Sequence, residues 1–275
     1  MLKTSQHIGF GSGGGSNKYY LFDVLTELGL TTDLKLCLDV ADPNSYDGTS
    51  QTWVDRSGNA NHFYRGATSG AEASDPTFNG AVGNSSESTY WGFDGGDYFK
   101  EAAAHTFGAN IHKNNGLATL IAIFMPNTAK ADRTAFFSTK ETAVADAGIN
   151  FNLRATYEPR ITRSVTATTA QSTISTLFST AAVFNFFAFG LDEAALAIRF
   201  RVNSATEDVG AITASTDTDP TSSPYTIGTE GATALDDLAQ AGERLIALAF
   251  WDSFLSNVNT GLVYDKMKLR LVTLP

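Results

Sequence analysis

Cysteine is nearly absent from this chain of 275 residues: Cys37 stands alone, so neither an internal disulfide nor a cysteine-based zinc site can form within one molecule. Its setting, Leu34-Lys35-Leu36-Cys37-Leu38, marks it as a small buried hydrophobe. Charge is sparse too, at 17% of residues against about 25% in ordinary soluble domains. Basic residues are the scarcer kind: 19 Lys and Arg face 29 Asp and Glu, the net charge is -10, and no basic run of five exists. Phosphate backbones are bound by clustered cations, so no nucleic-acid partner is expected. No membrane insertion is expected either, because the longest apolar stretches, Leu120 to Met125 and Leu245 to Trp251, are strand-sized, whereas a spanning helix needs about 18 apolar residues. Residues 1 to 15 lack the apolar segment of about 7–15 residues that a signal peptide carries. The expectation is a protein made and assembled in the cytoplasm.

What remains is 43% hydrophobic and 11% aromatic, enough for one sizeable core. From Asp33 onward the hydrophobic period is two. Ile149, Phe151 and Leu153 alternate with Asn150, Asn152 and Arg154, while Leu196, Ile198, Phe200 and Val202 alternate with Ala197, Arg199, Arg201 and Asn203. Each is the pattern of a strand with one wet face. Leu117 to Met125, Val183 to Leu191 and Leu245 to Trp251 are apolar on both faces, as central strands are when covered on each side, and two packed sheets are expected to supply that cover. Turn formers such as Asp42-Pro43-Asn44, Ser57-Gly58-Asn59 and Asp94-Gly95-Gly96-Asp97 punctuate the chain, and residues 60 to 90 read as a long polar loop at the sandwich edge. One helix is predicted, from Ser256 to about Lys268, with Ser256 as its cap and Leu255, Val258, Leu262 and Met267 at helical spacing. The fold class is all-β: a two-sheet antiparallel sandwich with one short C-terminal helix and an N-terminal arm.

That arm occupies residues 1–32, and the sandwich 33–275. Gly9 to Ser16 reads GFGSGGGS, a flexible stretch, followed by an apolar segment whose Tyr19, Tyr20, Leu21, Phe22, Leu25 and Leu28 are expected to make assembly contacts. Gly9 to Gly14 spells G-x-G-x-x-G, but only eight residues precede it and no βαβ unit follows, so the nucleotide-binding mechanism has no scaffold.

Trp53-Val54-Asp55-Arg56-Ser57-Gly58-Asn59-Ala60-Asn61-His62 resembles the W-x-D-x-S-G-N-x-N signature of concanavalin A-like, laminin G-like jelly rolls. Trp53, Asp55, Ser57, Gly58, Asn59 and Asn61 carry the resemblance, and the physical reading is a tight turn with side chains accepting backbone N–H groups and Gly58 at positive φ. Gly92 to Phe99 is similar to the F-D-G-x-x-D-Y hairpin of that family, and Ala249 to Ser256 to its closing strand. The resemblance covers about residues 33 to 272. Made in the cytoplasm and preceded by a glycine-rich arm, such a domain also resembles decoration, spike or fibre proteins of tailed-phage virions.

Catalytic patterns are missing. Glycosidases of this fold use E-x-D-x-(x)-E on one strand so that two carboxylates flank the scissile bond, whereas Glu141, Glu158, Glu193 and Glu230 are isolated. No G-x-S-x-G elbow exists, and His7, His62, His105 and His112 lack zinc spacing. No enzymatic activity and no cofactor are expected. Calcium is the one candidate ion that the resemblance implies, with Asp94 and Asp97 as ligands; the alternative is that both bracket a hairpin turn. Trp53, Tyr64, Tyr90, Trp91 and Tyr157 are the aromatics that could stack on sugars. The expected function is that of a non-enzymatic phage virion structural protein, attached through its arm to capsid or tail proteins and to copies of itself, as a trimer. The alternative is a carbohydrate-binding, receptor-recognition module of a tail fibre or bacterial surface protein.

Overall fold

Alternating apolar residues place every second side chain of a strand on one face, and here two antiparallel sheets of eight strands bury those faces against each other. The fold is a jelly-roll-like β-sandwich. In a computed structural model describing residues 19–103, 107–108, 111–140, 148–166, 169–216, 224–231 and 235–275, the chain begins with α1 (Leu21–Glu27), β1 (Leu34–Asp39), β2 (Thr52–Trp53), β3 (Phe63–Arg65), β4 (Thr77–Asn79), β5 (Tyr90–Gly92) and β6 (Phe99–Glu101). It continues through β7 (Leu117–Met125), β8 (Thr134–Ser138), β9 (Ile149–Leu153), β10 (Pro159–Thr166), β11 (Thr169–Ile174) and β12 (Asn185–Asp192). The last elements are β13 (Ala197–Val202), β14 (Asp208–Ala211), β15 (Thr226–Ile227), β16 (Arg244–Trp251) and α2 (Asn257–Arg270).

The first sheet runs β14-β13-β12-β7-β16-β5-β4, and β1 pairs with the same strand, β16, beyond β5. The second runs β11-β10-β9-β8-β15-β6-β3-β2. Between them lies the larger core, rich in aromatic pairs at edge-on or tilted angles, such as Trp53 against Trp91 (5.7 Å) and Phe107 against Tyr225 (5.3 Å).

The doubly apolar strands β7, β12 and β16 are central, but their second cover is not a sheet. Ile121, Ile123, Phe186, Ala249 and Trp251 face away from the sandwich core into a second cluster. Leu21, Val24 and Leu25 of α1 and Val263, Tyr264 and Met267 of α2 roof that cluster. Ser256 caps α2, accepting from the Asn259 N–H at 3.2 Å. The predicted stripe was partly misplaced, however: Val258 and Leu262 face solvent, while Val263 and Tyr264 point inward. The sheet fixes which arc of the helix is buried, and helical spacing alone admits both arcs.

Two other expectations change. Asn150 and Asn152, read as a wet face of β9, are fully buried, because charged side chains cover them: Asn150 Nδ2 donates to Glu230 Oε2 (2.7 Å) and Asp237 Oδ2 (3.3 Å), and Arg160 Nε donates to Asn152 Oδ1 (2.9 Å). Residues 60–90 are not one loop, since β3, β4 and the start of β5 fall within them.

Glu101 ends β6 on the core side, opposite Phe63. Burial pushes its carboxyl up to about 8, against a single backbone donor, Tyr225 N at 3.1 Å. Because the folded value exceeds the ordinary 4.5, the folded state holds this proton more tightly. Its contribution to stability is complete below about pH 4.5 and is lost as pH rises through about 8. Glu101→Gln should remove this slope, leaving the variant more stable than the parent at pH 9 by about 5 kcal/mol. Parallel denaturant titrations at pH 5 and pH 9 check it, and an equal difference at both pH values would refute it.

Candidate functional site

The turn that follows β2 does a structural job. β1 pairs with β16 on one side, leaving its other edge to be satisfied by something else. The Asp55 carboxylate accepts Cys37 N (2.8 Å), Ser57 N (2.8 Å) and Asn61 N (3.1 Å). Ser57 Oγ donates to Lys35 O (2.9 Å), as does Asn61 Nδ2 (2.7 Å), and Asn59 Nδ2 reaches Leu34 O (2.8 Å). Gly58 supplies the left-handed corner at φ 90°. Trp53 is fully buried against Trp91 and Phe99. These side chains are occupied with the fold.

The six residues expected to meet a partner pack on the protein itself. Leu21 and Leu25 are fully buried in the second cluster, Tyr20 is almost so, and Tyr19, Phe22 and Leu28 lean against it. Their apolar surface goes to roofing the sheet; Gly11 to Ser16 lie outside the described residues. The start of α1 is also stitched electrostatically. Buried Asp39 accepts Leu21 N (2.9 Å) and Ala41 N (3.0 Å) and pairs with the guanidinium of Arg270 at the end of α2.

Asp94 and Asp97 bracket their turn: Asp97 Oδ2 accepts Asp94 N (2.8 Å), and Asp94 Oδ1 accepts Gly96 N (2.9 Å). Burial raises the Asp97 carboxyl to about 6. Among the described residues no third acidic, His or Cys side chain joins them as a metal-binding group. His62 Nδ1 accepts Asp55 N (3.1 Å) and His112 is buried, while His7, His105 and Glu141 lie outside the described residues.

Carboxylates do come together where the sequence kept them apart. Glu230 meets Lys140 Nζ (3.4 Å) and Asn150 Nδ2 (2.7 Å), and Asp237 meets Arg133 Nε (2.6 Å) and Arg160 (3.5 Å). Burial and the neighbouring Glu230 push the Asp237 carboxyl up to about 7. A raised carboxylic acid beside a second carboxylate is the electrostatic signature of acid–base catalysis. Here both carboxylates are buried and held by cations, which makes the pair a clasp fastening Glu230 and Asp237 to the second sheet.

Among the described residues an open concavity lies elsewhere, where the helical roof over the first sheet stops. Two adjoining hollows of about 300 and 350 Å³ share Met125 and Ala182, at the lower end of the range of about 300–1,000 Å³ for small-molecule sites. Their floor is apolar, with Met125, Val183 and Phe184. Glu87, Ser88, Arg244 and Thr273 border one hollow, and Asn127, Thr128 and Ala129 the other. The walls are tied in place: Ala182 N donates to Pro126 O (2.8 Å), Asn127 Nδ2 to Ala241 O (3.1 Å), Tyr157 Oη to Asn127 O (3.1 Å) and Thr273 N to Glu87 Oε1 (2.6 Å).

Arg244 begins β16 and lays its guanidinium over the Tyr90 ring, 4.4 Å from the centroid. Among the aromatics considered for sugar stacking, Trp53 and Trp91 are core, Tyr64 and Tyr157 are half-buried, and Tyr90 supports Arg244. Five separated stretches build the groove, so no local motif announces it. The single sequence signal is a charged residue, Arg244, heading an otherwise apolar strand.

No family model and no curated protein matches this sequence. Solved structures do match. The binding domain of botulinum neurotoxin serotype D aligns over 90% of this chain and 53% of its own, with TM-score 0.61 and 10% identity. The binding domain of Paraclostridial Mosquitocidal Protein 1 aligns over 85% and 52%, with TM-score 0.60 and 11% identity. A botulinum neurotoxin type C structure, described as depending on interaction with two ganglioside molecules to enter cells, aligns over 87% and 52%, with TM-score 0.59 and 10% identity. The chain spans about half the length of these structures, and at such identity the likeness is one of fold.

Proposed function

We propose that this protein is a non-catalytic recognition module that binds a cell-surface carbohydrate in the groove bordered by Arg244, Ser88 and Ala129. The observation carrying this reading is the groove itself: a preformed, apolar-floored hollow with a polar rim, its walls fixed by four hydrogen bonds. That construction suits a sugar, which offers an apolar ring face and a hydroxyl edge. The Glu230–Asp237 pair, the one catalytic-looking pair of carboxylates among the described residues, is buried and lines neither hollow. The shared fold supports the reading, since the matched structures are binding domains, one from a toxin dependent on gangliosides to enter cells.

Filling the hollows should test it. Ser88 and Ala129 are exposed, one in each hollow, so Ser88→Trp and Ala129→Trp should leave thermal unfolding unchanged while weakening glycan-array binding at least ten-fold. Full-strength binding by both variants would move the site elsewhere.

A role as a virion structural protein is the second reading. It rests on the glycine-rich Gly9 to Ser16 stretch directly upstream of a helix stitched to the sandwich. Such a segment can order on a capsid, tail or sister-subunit partner, and Asp94 and Asp97 remain the residues to mutate if calcium proves to strengthen assembly.

A further inference from the structure

We infer that the groove selects sugars carrying a ring carboxylate, a uronic or sialic acid, and that Arg244 is the residue that reads it; this rests on the carbohydrate-binding reading above. The ten arginines of the chain divide unevenly. Arg56, Arg133, Arg154, Arg160, Arg199 and Arg270 pair with carboxylates. Arg65, Arg163 and Arg201 donate to backbone or neutral side-chain oxygens. Arg244 alone has neither an ion pair nor a side-chain hydrogen bond among the described residues, although it is half-buried and lines a groove.

Two acids adjoin it without pairing with it. Glu243, the preceding residue, is buried with Lys130 on one oxygen (2.8 Å) and Thr134 Oγ1 (2.6 Å) and Gln240 N (2.8 Å) on the other. Glu87, across the same hollow, accepts Thr273 N and makes no ion pair with Arg244. Arg244 Cζ lies 4.4 Å from the Tyr90 ring centroid, a cation–π contact that holds the guanidinium in place and leaves its fork of N–H donors for a carboxylate, which such a fork takes through two parallel hydrogen bonds. The net charge of -10 does not forbid an anion, because beyond about 8 Å physiological salt screens the distant carboxylates; among the described residues Glu87, in the same hollow, is the one carboxylate that opposes it there. A neutral sugar would leave this cation unpaired against an apolar floor.

The test uses the full chain with N-acetylneuraminic acid, glucuronic acid, the methyl ester of each, and neutral N-acetylglucosamine, read by ligand-observed NMR titration. The expected result is that at least one free acid binds, its ester binds at least ten-fold more weakly, and Arg244→Gln loses the same factor for the acid with an unchanged melting temperature. Arg244→Lys should recover only part, lacking the paired donors. Equal affinity for acid and ester, or full acid binding by Arg244→Gln, overturns the inference while leaving a sugar site in place. Binding of neutral sugar alone does the same. Absence of binding by every sugar overturns the carbohydrate reading together with the inference.

Discussion

Removing residues 1–30 should collapse the protein's stability, while removing residues 1–18 takes away none of the described contacts. The longer deletion takes α1 with it. Leu21, Val24 and Leu25 are buried against the first sheet, and burying each such side chain contributes about 1.5–3 kcal/mol. It also strips Leu21 N from Asp39 and the acceptor Leu30 O from Trp251 Nε1, a buried 2.8 Å bond. The sum exceeds about 5 kcal/mol, a large part of the roughly 5–15 kcal/mol that holds a typical domain together. Exposed Cys37, Ala249 and Trp251 would then form a sticky face on the sheet. Thermal unfolding with light scattering on both deletions decides the matter, and a 1–30 deletion that melts with the parent would mean the helix is not a structural part of the domain. The shorter deletion is therefore the one with which to ask about attachment. If the protein lacking residues 1–18 is still incorporated into particles at full occupancy, the glycine-rich stretch is not the tether.

Asp39→Ala is expected to be the most damaging single substitution, lowering stability by about 3–5 kcal/mol and the melting temperature by about 10 °C. Asp39 and Arg270 are both nearly inaccessible, with 1% exposure of each side chain. Deleting the carboxylate leaves a buried guanidinium whose remaining partners are the carbonyls of Tyr19 and Ser85. It also orphans the N–H groups of Leu21 and Ala41. Replacing both charges, Asp39→Leu with Arg270→Met, should recover part of the loss, because a matched apolar pair removes the uncompensated charge. A melting point for Asp39→Ala within about 2 °C of the parent would show that the pair is solvated.

The fold class was legible because strand periodicity is local. Alternation at Ile198 to Val202 and the continuous apolar runs at Leu117 to Met125 and Leu245 to Trp251 each state how many faces of a strand are buried. They do not state what buries them, and so the helical roof, the inward arc of α2 and the covering of Asn150 and Asn152 were hidden. Each depends on segments far apart in sequence: Asn150 is buried under Glu230 and Asp237. The Trp53–Asn61 turn could be read as a turn, but its closing of β1 could not, since its acceptors Leu34 O and Lys35 O lie more than twenty residues upstream. The groove was the least legible part, because hollows form between elements and composition records none of the space between them.

β1 belongs to the first forty residues, but the strand it pairs with, β16, begins at Arg244. At about 5–20 residues per second on a ribosome, β1 leaves the tunnel roughly 10–40 seconds before its partner exists. For that interval one edge of β1 can be guarded only by the Trp53–Asn61 turn, made moments later, and the other has nothing native to pair with. The nascent chain thus cannot close its first sheet stepwise; it must hold an apolar strand in waiting and complete the sheet in a late event, once β16 has followed it about two hundred residues later.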